Sequence, residues 1–90
     1  MTYGDPAMTE AQLRLFPVFQ ALPLYDESDP RADRITTAAG AGHSYRAIRE
    51  CATLQEVEDC LKDPRLVPLG GLRAGLNGRA AVVVYFGELV

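Results

Sequence analysis

The stretch that decides the fold is Gly71-Leu-Arg-Ala-Gly-Leu-Asn-Gly-Arg-Ala-Ala-Val-Val-Val-Tyr-Phe-Gly-Glu-Leu-Val90. Asn77-Gly78 stands between two apolar runs. A two-residue type I′ turn needs positive φ at both central positions, and Asn-Gly meets that need at little steric cost. The run from Ala80 to Phe86 is β-branched, aromatic and apolar at every position. A strand that is apolar on both sides is central and covered on both faces. The reading is a hairpin whose second arm is buried, with the rest of the chain folded around it.

Ninety residues suit a single domain, 1–90, with residues 1–8 as a flexible lead-in. The apolar share of 48% belongs to a globular chain and not to a disordered one. No run approaches the ~18–20 apolar residues of a membrane span. Residues 1–10 have neither a basic stretch nor an apolar stretch of the secretory kind, so a cytoplasmic protein is expected. Cys51 and Cys60 are then expected as reduced thiols that behave as small hydrophobes, with a disulfide as the alternative. Only His43 could join them on a metal, and the spacing fits no common zinc pattern, so no metal or cofactor is expected.

Outward from the hairpin, two capping boxes mark helix starts. Thr9-Glu-Ala-Gln12 begins one, with Leu13 and Phe16 on its inner side, and Pro17 kinks or ends it. Thr53-Leu-Gln-Glu56 begins the other. Leu54, Val57 and Leu61 form its stripe with Cys60 beside them, and Asp63-Pro64 stops it. Asp29-Pro30 has the form of an N-cap followed by proline. Residues 34–50 admit two readings, a hairpin or helices. Ile35, Thr36 and Thr37 favour a strand and the alanines a helix; the preferred reading is a strand, a turn at Gly40 to His43, and a second strand from Ser44 to Cys51. Leu66 to Gly71 reads as a connector, with Gly70-Gly71 at a turn or bulge. The resulting fold class is α+β: an antiparallel sheet with the C-terminal hairpin, and two helices packed on one face.

Four motif readings lead to chemistry that the residues do not complete. Ser44-Tyr-Arg-Ala-Ile48 is similar to the first helix of sigma-factor-type DNA readers. The segment from Ile48 to Val57 is too short for that turn, and Glu56, Glu58 and Asp59 would repel phosphates from the second helix. Arg79 to Phe86 loosely resembles the central strand of an RNA-recognition sheet. Tyr85 and Phe86 are adjacent and so point to opposite faces, where base stacking needs alternate positions. His43 and Ser44 are neighbours with no orienting third group, and Gly40-Ala-Gly42 lacks the lysine and spacing of a phosphate loop. No catalytic residue is assigned.

Charge is the remaining signal. Residues 1–33 carry a net charge of −4, 34–49 of +3, 50–63 of −4 and 64–90 of +2. Eight of the nine basic residues are arginine, which coding bias explains better than a partner does, because composition alone carries no geometry. Two function classes follow. The first is a small acidic, non-catalytic protein-binding module, an inhibitor or adaptor of a larger complex. Asp26, Glu27, Asp29, Glu56, Glu58 and Asp59 would form its anionic interface to a basic partner. In size and charge it resembles the acidic proteins that phages encode to inhibit bacterial nucleic-acid-handling machinery. The second is a nucleic-acid or anionic-ligand binder using a sheet face that bears Arg34, Arg46, Arg49, Arg73 and Arg79, with Tyr45 as a stacking platform. Self-association through sheet edges is a further expectation.

Overall fold

The computed structural model describes residues 8–37, 45–76 and 79–90. In chain order they form α1 (Glu10–Leu13), a 3-10 turn (Pro17–Gln20), β1 (Leu24–Asp26) and a second 3-10 turn (Pro30–Ala32). Then come α2 (Asp33–Thr36), β2 (Tyr45–Cys51), α3 (Leu54–Leu61), β3 (Leu66–Leu76) and β4 (Arg79–Leu89). The fold is a small α+β domain built on one four-stranded sheet, ordered β1-β3-β4-β2.

The apolar run Ala80–Phe86 lies in β4, between β3 and β2, as its two-sided pattern requires. β3 and β4 pair antiparallel down to Leu76 opposite Arg79; the expected turn at Asn77-Gly78 lies outside the described residues. Val82, Val84 and Phe86 project to one face and are fully or nearly fully buried there. They meet Met8, Leu13 and Phe19 from the N-terminal segment, and Val57 and Cys60 from α3. Phe19 stands edge-on between Phe16 and Phe86, with ring centroids 6.3 and 6.1 Å away. Burying aromatic rings in this geometry adds roughly 0.5–1.5 kcal/mol per pair beyond the area removed from water.

The sheet is mixed, which corrects the expected all-antiparallel arrangement. β1 runs parallel to β3, with Leu24 beside Gly71, Tyr25 beside Leu72 and Asp26 beside Arg73. Leu66–Gly71, expected as a connector, is the first half of β3. Pro68 is tolerated because β3 there lacks the β1 partner, which joins only at Gly71. The expected bulge is present: the register shifts between Pro68 and Gly70, and Gly70 has φ 138°. A Cβ at Gly70 would stand 2.8 Å from the Pro23 carbonyl oxygen and 2.9 Å from Ile35 Cδ1. Only glycine fits both the dihedral and the space.

Among the described residues, 34–37 and 45–51 do not pair as the expected hairpin; the expected turn at Gly40 to His43 lies outside the described residues. The second expected strand exists as β2, but its partner is β4, with Glu50 opposite Tyr85 and Cys51 opposite Val84. The first expected strand is instead the short helix α2. Asp29 caps the preceding turn by accepting from the Arg31 N–H at 2.9 Å, and Pro30 fixes the first helical φ. The chain is thus already helical when it reaches Ile35, whose burial outweighs its β-propensity. Because Tyr45–Cys51 is extended, the helix-turn-helix reading falls as well.

Helical segments also occupy both faces, where two helices on one face were expected. Leu24 packs against the main core, so Tyr25 points to the opposite face, and there Arg31 lies 4.9 Å above its ring. Ala32 and Ile35 are buried on that side, outside the main cluster. α3 shows a smaller correction: its inner stripe is Leu54, Val57 and Cys60, while Leu61 is exposed. α1 ends after one turn, and Leu13 and Phe19 reach the core from either side of Pro17. No helix among the described residues is long and apolar enough to cross a membrane.

Candidate functional site

The six acids singled out from the sequence fall into two groups. Asp26, Glu27 and Asp29 occupy the end of β1 and the turn after it. Asp26 stands level with Arg73, which faces Val82 near the hairpin end of the sheet. Glu56, Glu58 and Asp59 lie on α3, which leads into Leu66 opposite Glu88 at the far end. The acids therefore make two patches at different ends of the molecule.

Within each patch, some carboxylates hold the fold and others face water. Asp29 is committed to its own turn: it caps the Arg31 N–H and takes the Arg31 guanidinium at 2.8 and 3.1 Å. The guanidinium and that backbone bond hold its carboxyl below the usual range. Glu56 closes the α3 capping box, with Oε1 accepting from the N–H groups of Ala52 and Thr53 at 3.0 and 3.1 Å. Asp59 accepts from Gln55 Nε2 at 3.0 Å, one turn earlier on the exposed face. Asp26 is 73% exposed and lies 3.8 Å from an Arg73 nitrogen. Glu27 and Glu58 are exposed and make no ion pair among the described residues.

The arginines are differently placed. Arg73 makes a two-pronged bridge to Glu10, at 2.9 and 3.4 Å, and donates to the Leu24 carbonyl at 3.1 Å. It ties α1 to β3 and β1, and its hydrogen bonds, with its charge behind them, hold the Glu10 carboxyl below the usual range. Arg46 faces Glu88 at 3.8 Å. Arg49 is opposite Phe86 on the main-core face, at its rim, and Arg34 is exposed on α2. The side chain of Arg79 lies outside the described residues. Tyr45 packs its ring on the Gly87 backbone, where an added Cβ would come within 2.8 Å of it, and is half-buried. These residues are spread over α2, β2, β3 and β4 and not over one sheet face.

Two contacts had no signal in the linear sequence, and a third was open there only as an alternative, the pairing of Cys51 with Cys60. Tyr85 Oη donates to Glu50 Oε2 at 2.7 Å across the β2–β4 pair, and burial with that bond pushes its phenol up to about 12. The Glu10–Arg73 bridge joins residues far apart in the chain. Cys51 and Cys60 bring their Sγ atoms to 3.3 Å in the core. All three depend on strand register and on where α3 lands, which local pattern does not specify. Among the described residues no three of His, Cys, Asp and Glu gather as metal ligands would. His43, Ser44 and the Gly40-Ala-Gly42 segment lie outside the described residues. Comparison with family models, with curated proteins and with solved structures finds no match to this chain.

Proposed function

We propose that this domain is a non-catalytic protein-binding module that offers anionic patches to a basic partner, in the manner of a small inhibitor or adaptor. One observation carries the reading. Arg14, Arg31, Arg46, Arg65 and Arg73 each have a carboxylate within 2.8 to 3.8 Å, so the chain's own acids occupy most of its guanidinium groups. Among the described side chains without an ion pair, carboxylates outnumber cations: Glu27, Asp33, Glu50, Glu56, Glu58 and Asp59 stand against Arg34, Arg49 and Lys62, and Asp26 is only loosely held beside Arg73. Such patches steer a cationic surface into encounter and reject anionic ones. For the nucleic-acid reading, an anion would have to displace a carboxylate at Arg46 and Arg73, and Arg34 and Arg49, which have no ion pair, lie on different elements and form no common basic face with them.

The structure also selects the residues for the test. Asp29 and Glu56 are caps, so neutralising them would disturb the fold. Asp26→Asn, Glu27→Gln and Glu58→Gln remove charge with few internal bonds lost. Tagged wild-type protein and this triple variant are used to capture partners from host lysate, with and without nuclease. The reading expects a nuclease-resistant protein partner whose capture falls at least about tenfold in the variant and weakens with salt. Capture that survives the triple variant unchanged, or that disappears with nuclease, contradicts it.

A further inference from the structure

We infer that Cys51 and Cys60 are a reversible disulfide site that staples the end of β2 to α3. Cys51 is the last residue of β2 and, opposite Val84, points into the main core. Only Ala52 and Thr53 separate the strand from α3, so the helix turns back directly over the strand end. Val57 and Cys60 form its inner stripe, and Cys60 arrives with its Sγ 3.3 Å from that of Cys51. A disulfide bond is about 2.05 Å long, so closure asks for roughly 1 Å of approach between side chains already in contact. Each sulfur has the other as its hydrogen-bond partner. Both thiols are free and buried, with Cys51 2% and Cys60 6% exposed.

The reaction follows from these positions, with a small-molecule disulfide as oxidant. Cys60, the more exposed of the two, loses its proton to water and attacks one sulfur of the oxidant. One small thiol leaves, and Cys60 carries the mixed disulfide. Cys51 then gives up its proton and attacks Cys60 Sγ, breaking the mixed disulfide and releasing the second small thiol. Two protein thiols are oxidised and one small disulfide is reduced to two thiols. Burial pushes the Cys51 thiol up to about 12, so it keeps its proton until the partner is in place and serves as the resolving group. Both sulfurs lie under α3, so the exchange waits on local opening of that helix and is slow in the folded protein. The inference stands apart from the proposed function, although the stapled helix is the one that bears Glu58 and Asp59.

The full-length chain is equilibrated in mixtures of oxidised and reduced glutathione, starting from both its reduced and its oxidised form. It is then alkylated, trypsin-digested and weighed. Cleavage after Arg49 and Lys62 leaves both cysteines on one peptide, Glu50–Lys62. The expected product is that peptide lighter by two hydrogens and unalkylated, from a monomeric protein. Closing so short a ring should raise the melting temperature by roughly 10 °C over the reduced form. That rise should vanish in Cys60→Ala and in Cys51→Ala. The inference is overturned by a doubly alkylated peptide at the most oxidising ratio, by lasting glutathione adducts, or by disulfide-linked dimers.

Discussion

Tyr85 shows how one residue's chemistry is set by a neighbour that only the folded register supplies. Its phenol sits on the face of β4 opposite Phe86, half-buried, with its hydroxyl donating to Glu50. Burial first, then the hydrogen bond and charge of Glu50, with a smaller contribution from Glu27, raise its ionisation from an ordinary value of 10.0 to about 12. The folded protein therefore holds this proton more tightly than the unfolded chain does. The stabilisation is complete below about pH 10 and is lost as pH rises through about 12. Cys51, raised by burial from 9.0 to about 12, contributes stability that is complete below about pH 9 and is likewise lost as pH rises through about 12. An ultraviolet titration should show a phenol that ionises only near pH 12 and is missing from Tyr85→Phe. In that variant the alkaline loss of stability should shrink but persist. High-pH titrations that coincide for the two proteins would contradict this account.

At the scale of elements, the N-terminal boundaries were legible in the sequence and the lengths and partners were not. Both capping boxes form, because each needs only a threonine and an amide or carboxylate three residues later. Thr53→Ala removes the hydroxyl that accepts from the Glu56 N–H at 3.2 Å and should cost about 1 kcal/mol, with the fold intact. Denaturant unfolding should place its midpoint lower at an unchanged slope; an unshifted midpoint would mean that the box contributes nothing. Pro17 was readable as a break, yet nothing local said that α1 would be limited to one turn. Residues 33–36 mislead for a physical reason. Ile35 and Thr36 have strand propensity, but Asp29-Pro30 starts a helical course upstream, and the pocket by Pro23 and Gly70 receives Ile35. Tertiary contact overrides propensity there. Leu61 and Cys60 differ by one helix position, and the facing sulfur of Cys51 goes with Cys60 as the inner residue.

For the whole molecule, the continuous apolar run in β4 was enough to place that strand at the centre of the sheet. It could not tell which strands lie beside it. A three-residue strand such as β1 carries too little pattern to announce a parallel pairing, and the bulge at Gly70 adjusts β3 just before β1 joins it. The candidate site divides in the same way. Residue types and charge excess were legible, but the separation of the acids into two patches and the internal pairing of the arginines follow from topology. The fold's other long-range contacts depend on this mixed order, β1-β3-β4-β2. Backbone contacts and amide exchange measured by solution NMR test it most directly. The expected result is slowly exchanging amides at Val82 to Phe86, antiparallel contacts of β4 with both β3 and β2, and a parallel contact pattern between Tyr25 and Leu72. Cross-strand contacts between residues 34–37 and Tyr45–Cys51, with none between β1 and β3, would contradict it.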